Sequence, residues 1–372
     1  MTVEVDRDAL KGALAAVADV VAGRTTIPIL SNLMIVAEGG QLHLTGTDLD
    51  IEATAQIEAA GDLSTTVSKE KLVAAITSLK PGRLTIAPAA TPGAITIKQG
   101  RSVRTLATLP VSDFPKREQL QGGTRFRLQG PALTRLIETT YSAQSVEEVR
   151  YYLCGILLHV REGHLVAAAT DGHRLVRSET AAPEGCEAMP DSIVPTKTVT
   201  LLRKLLSKVD AEVAIALTDR AILFEIGSIR VASKLIEGTY PDYQRTIPAL
   251  CGNVLTLQRD ALIEPVEAVA AVVNPEGEQV KRRAVVFDLT KGDDHEISAR
   301  DSAGSSASEA IDCTYEGAPI RFGLNQRYAV TIASIFSDNA TLTLSISDPA
   351  APIRVTSDKD PDVIAVMMPM RV

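Results

Sequence analysis

Residues 2–17, TVEVDRDALKGALAAV, pass from a segment of alternating apolar residues into an Ala- and Leu-rich segment. Alternation with period two predicts a β-strand, and the segment after it predicts a capped helix. The same pattern recurs at residues 125–138, RFRLQGPALTRLIE, and at residues 254–269, VLTLQRDALIEPVEAV. With Asp8, Pro131 and Asp260 aligned, the copies are offset by 123 and 129 residues. The chain is therefore predicted to build one unit three times.

Each copy also contains a second helix and a pair of strands. The second helices lie at 67–79, 194–206 and 324–336, with Ser68, Thr196 and Asn325 as predicted N-caps. Between the helices, strands joined by a Gly-containing turn end at Asp48, Asp171 or Asp301. The predicted fold is α+β, with three domains of two helices and antiparallel sheets at 1–122, 123–250 and 251–372. The Pro- and Gly-containing stretches 113–123 and 238–253 are the predicted linkers.

Composition restricts the class of protein. The 372 residues are 45% apolar and 23% charged, without Trp, and no stretch has the length of a membrane span. The N-terminus lacks the pattern of a signal peptide, so we expect a cytoplasmic protein. Cys154, Cys186, Cys251 and Cys313 form no C-x-x-C pair, which predicts reduced, mostly buried thiols. A net charge of -8 disfavours nucleic acid unless the positive charges are segregated.

Residues 169–176, ATDGHRLV, place Asp171, His173 and Arg174 within four positions, as a catalytic site could. The chain has no nucleophile elbow, zinc-protease helix or phosphate-binding loop, and ARDSAG in the third copy keeps the Asp without the His. An Asp present in all three copies indicates a turn residue. We predict no catalytic residue, metal or cofactor. A metal-dependent hydrolase using Asp171 and His173, or a metal bound by His159 and His164, remains the alternative.

Seven stretches carry a resemblance to a known family. They are IPILSNL (27–33), LTGTDLDIE (44–52), TLPVSDFP (108–115), VRYYLCGILL (149–158), ATDGHRL (169–175), SKLIEGTYPDYQR (233–245) and VMMPMRV (366–372). In this order, and across a threefold repeat, they resemble the beta subunit of bacterial DNA polymerase III, a sliding clamp. The resemblance implies a head-to-tail homodimeric ring around duplex DNA, with helices lining the hole and sheets outside. It implies a non-enzymatic processivity factor that binds DNA irrespective of sequence.

The resemblance also implies three groups of site residues. A hydrophobic groove, here called the peptide groove, would receive short linear motifs of the polymerase III alpha subunit, the clamp loader, other polymerases and repair proteins. Its residues would be Leu153, Thr170, Gly172, His173, Arg174, Leu175, Pro241, Arg245, Thr246, Val366, Met367, Met368, Pro369, Met370 and Arg371. The Met residues are expected to be exposed, because flexible thioethers suit a groove with several ligands. A scaffold that has the groove but does not encircle DNA is a further alternative.

The DNA-facing residues implied by the resemblance are Arg24, Lys71, Arg150, Tyr151, Lys197, Lys204 and Lys208. The last three have the spacing i, i+7, i+11 and share one helix face. In the loop 145–152, Glu147 and Glu148 oppose contact with phosphates. The implied dimer interface contains Arg104, Leu106, Val272 and Val273, with the charged stretch 274–283 beyond them, and Arg104 replaces an apolar ring.

Overall fold

The computed structural model describes residues 2–21, 23, 25–117, 120–273, 284–292 and 294–372. The described helices are α1 (Arg7–Val17), α2 (Lys69–Thr77), α3 (Gly130–Tyr141), α4 (Thr196–Leu206), α5 (Arg259–Val273) and α6 (Gln326–Ala333). Short 3-10 helices lie at Glu148–Leu153 and Tyr243–Thr246, among other places. No helix in the described part of the chain is long and apolar enough to cross a membrane.

The strands in the first part of the chain are β1 (Val3–Asp6), β2 (Asn32–Glu38), β3 (Gln41–Thr47), β4 (Ile51–Ala60), β5 (Leu63–Ser68), β6 (Arg83–Pro88), β7 (Ala94–Gln99), β8 (Ser102–Leu109), β9 (Thr124–Gln129), β10 (Gly155–Arg161), β11 (His164–Thr170), β12 (Arg174–Ala181) and β13 (Ser192–Pro195). Those that follow are β14 (Glu212–Leu217), β15 (Ala221–Ile226), β16 (Ile229–Lys234), β17 (Val254–Gln258), β18 (Ala284–Leu289), β19 (Glu296–Arg300), β20 (Ser306–Ala310), β21 (Cys313–Glu316), β22 (Ile320–Asn325), β23 (Thr341–Ser345), β24 (Ile353–Ser357) and β25 (Val363–Met367).

The first helix of the chain shows why these segments fold as they do. Asp6 caps α1, because its Oδ1 accepts the amide hydrogens of Asp8 and Ala9 at 2.8 and 3.0 Å. Leu10, Leu14 and Val17 repeat at helical spacing and are buried. The alternating segment before the cap forms β1, as its period predicts.

The chain divides into two compact units. The first comprises Met1–Pro131, Pro183–Pro190 and Thr200–Leu235. It contains a twelve-stranded antiparallel sheet in the order β1-β6-β7-β8-β5-β2-β3-β4-β16-β15-β14-β9, in which β1 also pairs with β4. Ile29 and Leu30 pack on Phe114 there, so the stretches IPILSNL and TLPVSDFP meet in one apolar cluster.

The second unit comprises Ala132–Ala182, Asp191–Val199 and Ile236–Val372. It contains a nine-stranded antiparallel sheet, β13-β10-β11-β12-β25-β24-β23-β17-β21, and a four-stranded sheet, β20-β19-β18-β22. Sheets run across the predicted domain boundaries, because β4 pairs with β16 and β12 pairs with β25. Backbone hydrogen bonds therefore join predicted domains within each unit, and the boundaries at 122 and 250 stay a prediction.

The three aspartates of the repeat have the same role. Asp48 Oδ1 accepts from the amides of Asp50 and Ile51, Asp171 Oδ1 from those of His173 and Arg174, and Asp301 Oδ1 from those of Ala303 and Ser305. Each carboxylate satisfies backbone donors of the turn that follows its strand. The prediction that these residues are turn residues is confirmed.

Of the three predicted N-caps, Asn325 behaves as expected, whereas Ser68 and Thr196 do not. Asn325 caps α6 by accepting from the amides of Arg327 and Tyr328 at 3.0 and 3.3 Å. Ser68 occupies the N-cap position of α2 but makes no side-chain cap hydrogen bond. Thr196 is the first residue of α4, and its hydroxyl lies 2.8 Å from the Gln144 amide oxygen and 2.8 Å from the Cys154 carbonyl.

The four cysteines are free, but the prediction that most are buried is wrong. Cys186 is buried, whereas Cys154, Cys251 and Cys313 are half-buried. Burial raises the pKa of the Cys154 and Cys186 thiols, and it raises the pKa of Cys313 to about 11. A raised pKa keeps these side chains as neutral thiols at neutral pH.

Candidate functional site

The turn between β11 and β12 is built around Asp171. Its Oδ1 accepts from the amides of His173 and Arg174 at 2.9 Å each, and its Oδ2 accepts from Arg174 Nε at 3.1 Å. Thr170 closes the other side, because its hydroxyl donates to the Arg174 carbonyl at 2.7 Å. Gly172 has a φ of 88°, a conformation that favours glycine. The turn is therefore rigid and holds the backbone of His173 in place.

An aromatic side chain from α6 supports this turn. The guanidinium carbon of Arg174 lies 4.5 Å from the centre of the Tyr328 ring, a cation–π distance. His173 stacks on the same ring, with centroids 6.4 Å apart and planes inclined by 29°. Burial, followed by the charge of Asp171, raises the pKa of Tyr328. Tyr328 thus presents a neutral ring to both residues.

The floor beside the turn is apolar. Leu175, Val366 and Tyr243 belong to one buried cluster, and Tyr240 packs against it. The Tyr240 hydroxyl accepts from the Thr170 amide at 3.0 Å, and Tyr243 Oη lies 2.8 Å from His159 Nε2. Burial raises the pKa of both tyrosines, so both remain neutral. The two hydroxyl contacts attach the segment that carries Tyr240 and Tyr243 to strands β11 and β10 of the nine-stranded sheet.

The C-terminal residues do not form a frayed end. Met367 belongs to β25, an interior strand that pairs with β12 and β24, and it is 2% exposed. The expectation of an exposed Met at 367 is therefore wrong, because the side chain lies in the core. Met368 is 38% exposed and Met370 is half-buried.

Residues 368–372, here called the tail, are fixed at two points. The Met368 amide donates to the His173 carbonyl and the Met370 amide donates to the Gly323 carbonyl, each at 2.8 Å. A Cβ at Gly323 would lie 2.3 Å from Val372 Cγ1 and 2.9 Å from the Met370 carbonyl oxygen. The absence of a side chain at Gly323 therefore allows the tail to lie against β22.

The other predicted groove residues differ in exposure. Leu153, Leu175 and Val366 are all buried, and of these Leu175 and Val366 belong to the apolar cluster of the floor. Pro241, Arg245 and Thr246 are exposed in the segment after β16. Arg245 Nε lies 2.8 Å from Asp242 Oδ2. The turn, this segment and the tail all lie in the second unit.

Four residues of this arrangement were missed from the sequence: Tyr240, Tyr243, Gly323 and Tyr328. Tyr240 precedes the predicted Pro241 in a stretch already recognised, so adjacency was an available signal. Tyr328 follows the N-cap Asn325 by three residues and could only be assigned to the site once α6 was placed. Gly323 gave no local signal.

The loop 145–153 carries mixed chemistry. The Arg150 guanidinium pairs with Glu147, with Nη2 2.8 Å from Oε2, which neutralises the one cation of the loop. Arg150 also covers Gly172, since a Cβ there would lie 2.6 Å from Nη1. Tyr151 is 55% exposed, and its ring meets that of Tyr152 edge-on. The opposition of Glu147 and Glu148 to phosphate contact stays a prediction.

The predicted DNA-facing lysines are all exposed. Lys71 lies on α2, Lys197 on α4, and Lys208 beyond the end of α4. Lys204 is committed to other contacts, because its Nζ donates to the Ala15 carbonyl at 2.9 Å and lies 2.5 Å from Asp19 Oδ2. Arg24 lies outside the described residues.

The predicted interface residues are divided between two elements. In β8, Arg104 and Leu106 are half-buried, and Arg104 Nε donates to Ser78 Oγ at 3.1 Å. β8 pairs with β7 along its length but with β5 only at Thr108 and Leu109, so within the described residues 102–107 form a free edge. Val272 is 52% exposed. Val273 is 3% exposed, so its prediction as an interface residue is wrong: its side chain lies in the core of its own unit. The stretch 274–283 lies outside the described residues.

The geometry does not form a catalytic site at Asp171. Ser178, the hydroxyl near it in sequence, is fully buried, and its Oγ lies 3.4 Å from Asp362. His159 and His164 are not register partners, since His159 faces Val166 and His164 faces Arg161. Among the described residues no group of three or more His, Cys, Asp or Glu is placed to hold a metal ion.

Comparison with known proteins identifies the family. Three sequence profiles match the chain: the N-terminal domain of the DNA polymerase III beta subunit over residues 1–118, its central domain over 127–242 and its C-terminal domain over 244–371. The chain belongs to the DNA polymerase III beta subunit family. It is 35% identical to the beta sliding clamp of Caulobacter vibrioides and 31% identical to that of Escherichia coli K12, with full coverage of all chains.

Solved structures agree with this membership. The sliding clamp of Bartonella birtlesii, solved with bound griselimycin, has a TM-score of 0.94 and 35% identity over all of both chains. The sliding clamp of Caulobacter crescentus has a TM-score of 0.92 and 34% identity, again with full coverage. The chain therefore has the three-domain α+β clamp fold of beta subunits. It is a non-catalytic processivity factor of DNA polymerase III, and the hydrolase and scaffold alternatives have no support.

Proposed function

We propose that the peptide groove of this beta subunit is formed by the turn after β11, residues 240–246 and the tail. The observation that carries the proposal is the fixed tail beside an apolar floor. Met368 offers an exposed thioether, and the cluster under Leu175 supplies the apolar surface. Short apolar segments of the polymerase III alpha subunit, the clamp loader, other polymerases and repair proteins bind there.

The proposed ligands follow from the shape of the groove. Its walls are the stacked rings of His173 and Tyr328 and the flexible side chain of Met368. Flexible thioethers adapt to several apolar side chains, which suits a site shared by many partners. Clamps of Bartonella birtlesii and Pseudomonas aeruginosa were solved with griselimycin bound, and we propose that the groove of this chain binds it too.

The DNA duplex is retained because the ring encircles it, without contacts that recognise particular bases. We propose that Lys71, Lys197 and Lys208 face the phosphates, with a smaller contribution from Lys204, which pairs with Asp19. Arg24 stays in the proposal from the resemblance, as does Tyr151. Arg150 contributes little, because Glu147 neutralises it. Lysine contacts to phosphates carry no sequence information, and a ring that slides needs none.

We propose that two copies close a head-to-tail ring through the free edge of β8. A sheet edge with unpaired amides and carbonyls is a template for pairing with another chain. Val103, 56% exposed, and Leu106 supply apolar contacts, and Val272 lies on the opposite partner surface. Arg104 bonds to Ser78 and makes this interface more polar than an aromatic residue would. The protein acts in the cytoplasm, where bacterial DNA is replicated.

The ring is tested by retention on DNA. The protein is loaded by its clamp loader onto a nicked plasmid, isolated by gel filtration, and half of the sample is linearised before a second filtration. Retention on circles with loss from linear molecules is expected. Equal retention on both forms would contradict encirclement.

The groove is tested separately with overlapping peptides that tile the alpha subunit of the same organism. Deletion of residues 368–372 leaves β25 intact and is expected to abolish binding of the peptide that binds wild type best. Griselimycin should compete with that peptide. Unchanged affinity after the deletion would remove the tail from the proposed groove.

A further inference from the structure

A second depression opens beside the peptide groove, on the same face of the nine-stranded sheet. It is a cleft of about 580 Å³ lined by the ends of β10, β11 and β12, by β24 and by residues 244–249. Side chains two residues apart on a strand share a face, so Arg177 lies on the same face as Leu175, about 7 Å along β12. The cleft therefore begins two residues of extended chain away from the groove floor.

The two depressions share one wall. Tyr243 belongs to the cluster under the groove, and the next residue, Gln244, lines the cleft. Ile247 packs on the groove cluster and also lines the cleft, and Pro248 and Ala249 extend this apolar wall. The groove floor and the cleft are therefore neighbours along residues 243–249.

The cleft is basic although the chain has a net charge of -8. Arg161, Arg177, Arg354 and His164 line it, together with the carboxylates Glu162 and Glu179. Arg177 and Glu179 form an ion pair and neutralise each other. Within the described part of the chain, no carboxylate oxygen lies within 4.0 Å of the guanidinium of Arg161 or Arg354.

The two guanidinium groups differ in exposure: Arg161 is exposed, so water can satisfy its remaining donors, whereas Arg354 is half-buried. Arg161 donates to the Gln244 amide oxygen at 3.1 Å, a neutral acceptor. Nε of Arg354 is buried and has no hydrogen-bond partner. A buried donor without a partner is costly, and a guanidinium is best satisfied by a carboxylate or phosphate group. The cleft thus fits an anionic group that the folded chain does not itself supply.

We propose that this cleft is an acidic-residue subsite of the peptide groove. It receives the carboxylate of an Asp or Glu that lies two or three residues from the apolar side chains of a bound partner segment. The inference rests on the proposed function of the groove. The apolar wall of Ile247 and Pro248 suits a peptide, and Glu162 at the rim disfavours the continuous phosphates of nucleic acid.

The experiment uses the alpha-subunit peptide that binds wild type best, extended at either end by Glu-Glu, Gln-Gln or Lys-Lys. Binding is measured by fluorescence anisotropy to wild type and to an R161Q/R354Q double variant. Arg321→Gln is the matched control, because Arg321 is an exposed arginine on β22 of the same unit, outside the cleft. Thermal unfolding checks that each variant is folded.

When the extension is at the end of the peptide that reaches the cleft, the Glu-Glu peptide should bind wild type and the Arg321→Gln control roughly tenfold more tightly than the Gln-Gln peptide does. This factor corresponds to about 1.4 kcal/mol of binding free energy. The double variant should lose this advantage but bind the Gln-Gln peptide as wild type does. Equal binding of Glu-Glu and Gln-Gln peptides to wild type would overturn the subsite and leave the groove intact. An advantage that persists in the double variant would overturn it as well.

Two other results separate the possible causes. If inorganic phosphate binds at Arg161 and Arg354 while Glu-Glu gives no advantage, the cleft is a site for free anions and the peptide assignment is wrong. If no tiled peptide binds at all, the proposed groove fails, and the subsite fails with it.

Discussion

Replacement of Asp171 tests whether this residue is structural. Asp171→Ala removes two hydrogen bonds to the amides of His173 and Arg174 and one to the Arg174 side chain. The side chains of Asp171 and Arg174 are each 13% exposed, so solvent screens their ion pair only weakly. At about 0.5–1.5 kcal/mol for each amide bond and about 1.5–3 kcal/mol for the charged pair, the local loss is about 2.5–6 kcal/mol.

Asp171→Asn separates these contributions. It keeps an oxygen acceptor for the two amides but removes the charge that holds Arg174 over Tyr328, so it should cost only about 1.5–3 kcal/mol. Hydrogen exchange followed by mass spectrometry of the segment 170–178 reports this local stability. One factor of ten in exchange corresponds to about 1.4 kcal/mol, so Asp171→Ala should accelerate exchange at least about 50-fold, and Asp171→Asn less.

The control is Asp301→Ala, which removes the equivalent turn bonds of the third copy to Ala303 and Ser305. It should accelerate exchange near residue 303 and leave the segment 170–178 unchanged. If Asp171→Ala exchanges like wild type, the carboxylate does not hold the turn and its structural role is refuted.

Three further predictions concern Gly323 beside the tail, the buried His159 and the exposed Lys208. Gly323→Ala places a Cβ 2.9 Å from the Met370 carbonyl oxygen and should displace the tail, which weakens peptide affinity about tenfold or more. Gly12→Ala, at an exposed position of helix α1, is the control and should leave peptide affinity unchanged. Equal affinity of both variants in a peptide-binding assay would contradict the tail's role. Burial lowers the pKa of His159, so the unfolded chain binds more protons than the folded chain below about pH 6.5, and stability should fall as pH falls through that range. His159→Gln should flatten this dependence in thermal unfolding; an unchanged pH slope would argue against it. Lys208→Gln should reduce the salt dependence of DNA binding by roughly one phosphate contact, measured by affinity against salt concentration, and an unchanged slope would remove Lys208 from the DNA-facing set.

The repeat and its turns were predictable from the sequence because they depend on local chemistry. Strand alternation, helix spacing and the recurring aspartates predicted β1, α1 and the turns at Asp48 and Asp171, which the hydrogen bonds confirm. The groove turn was found because its residues are contiguous. The exposure of Met367 was predicted wrongly, since nothing in VMMPMRV indicates that β25 would be an interior strand with strands on both sides.

What the sequence alone determined is the set of elements and the family, since periodicity and contiguous motifs are properties of short segments. Only the tertiary structure decided which distant side chains meet. Tyr328 reaches Arg174 from α6, Gly323 makes room for the tail, and Arg354 joins Arg161 in the cleft. The last of these depends on the register of the strands from β10 through β11, β12 and β25 to β24. That register is set by burial of one face of the sheet, which no single segment encodes.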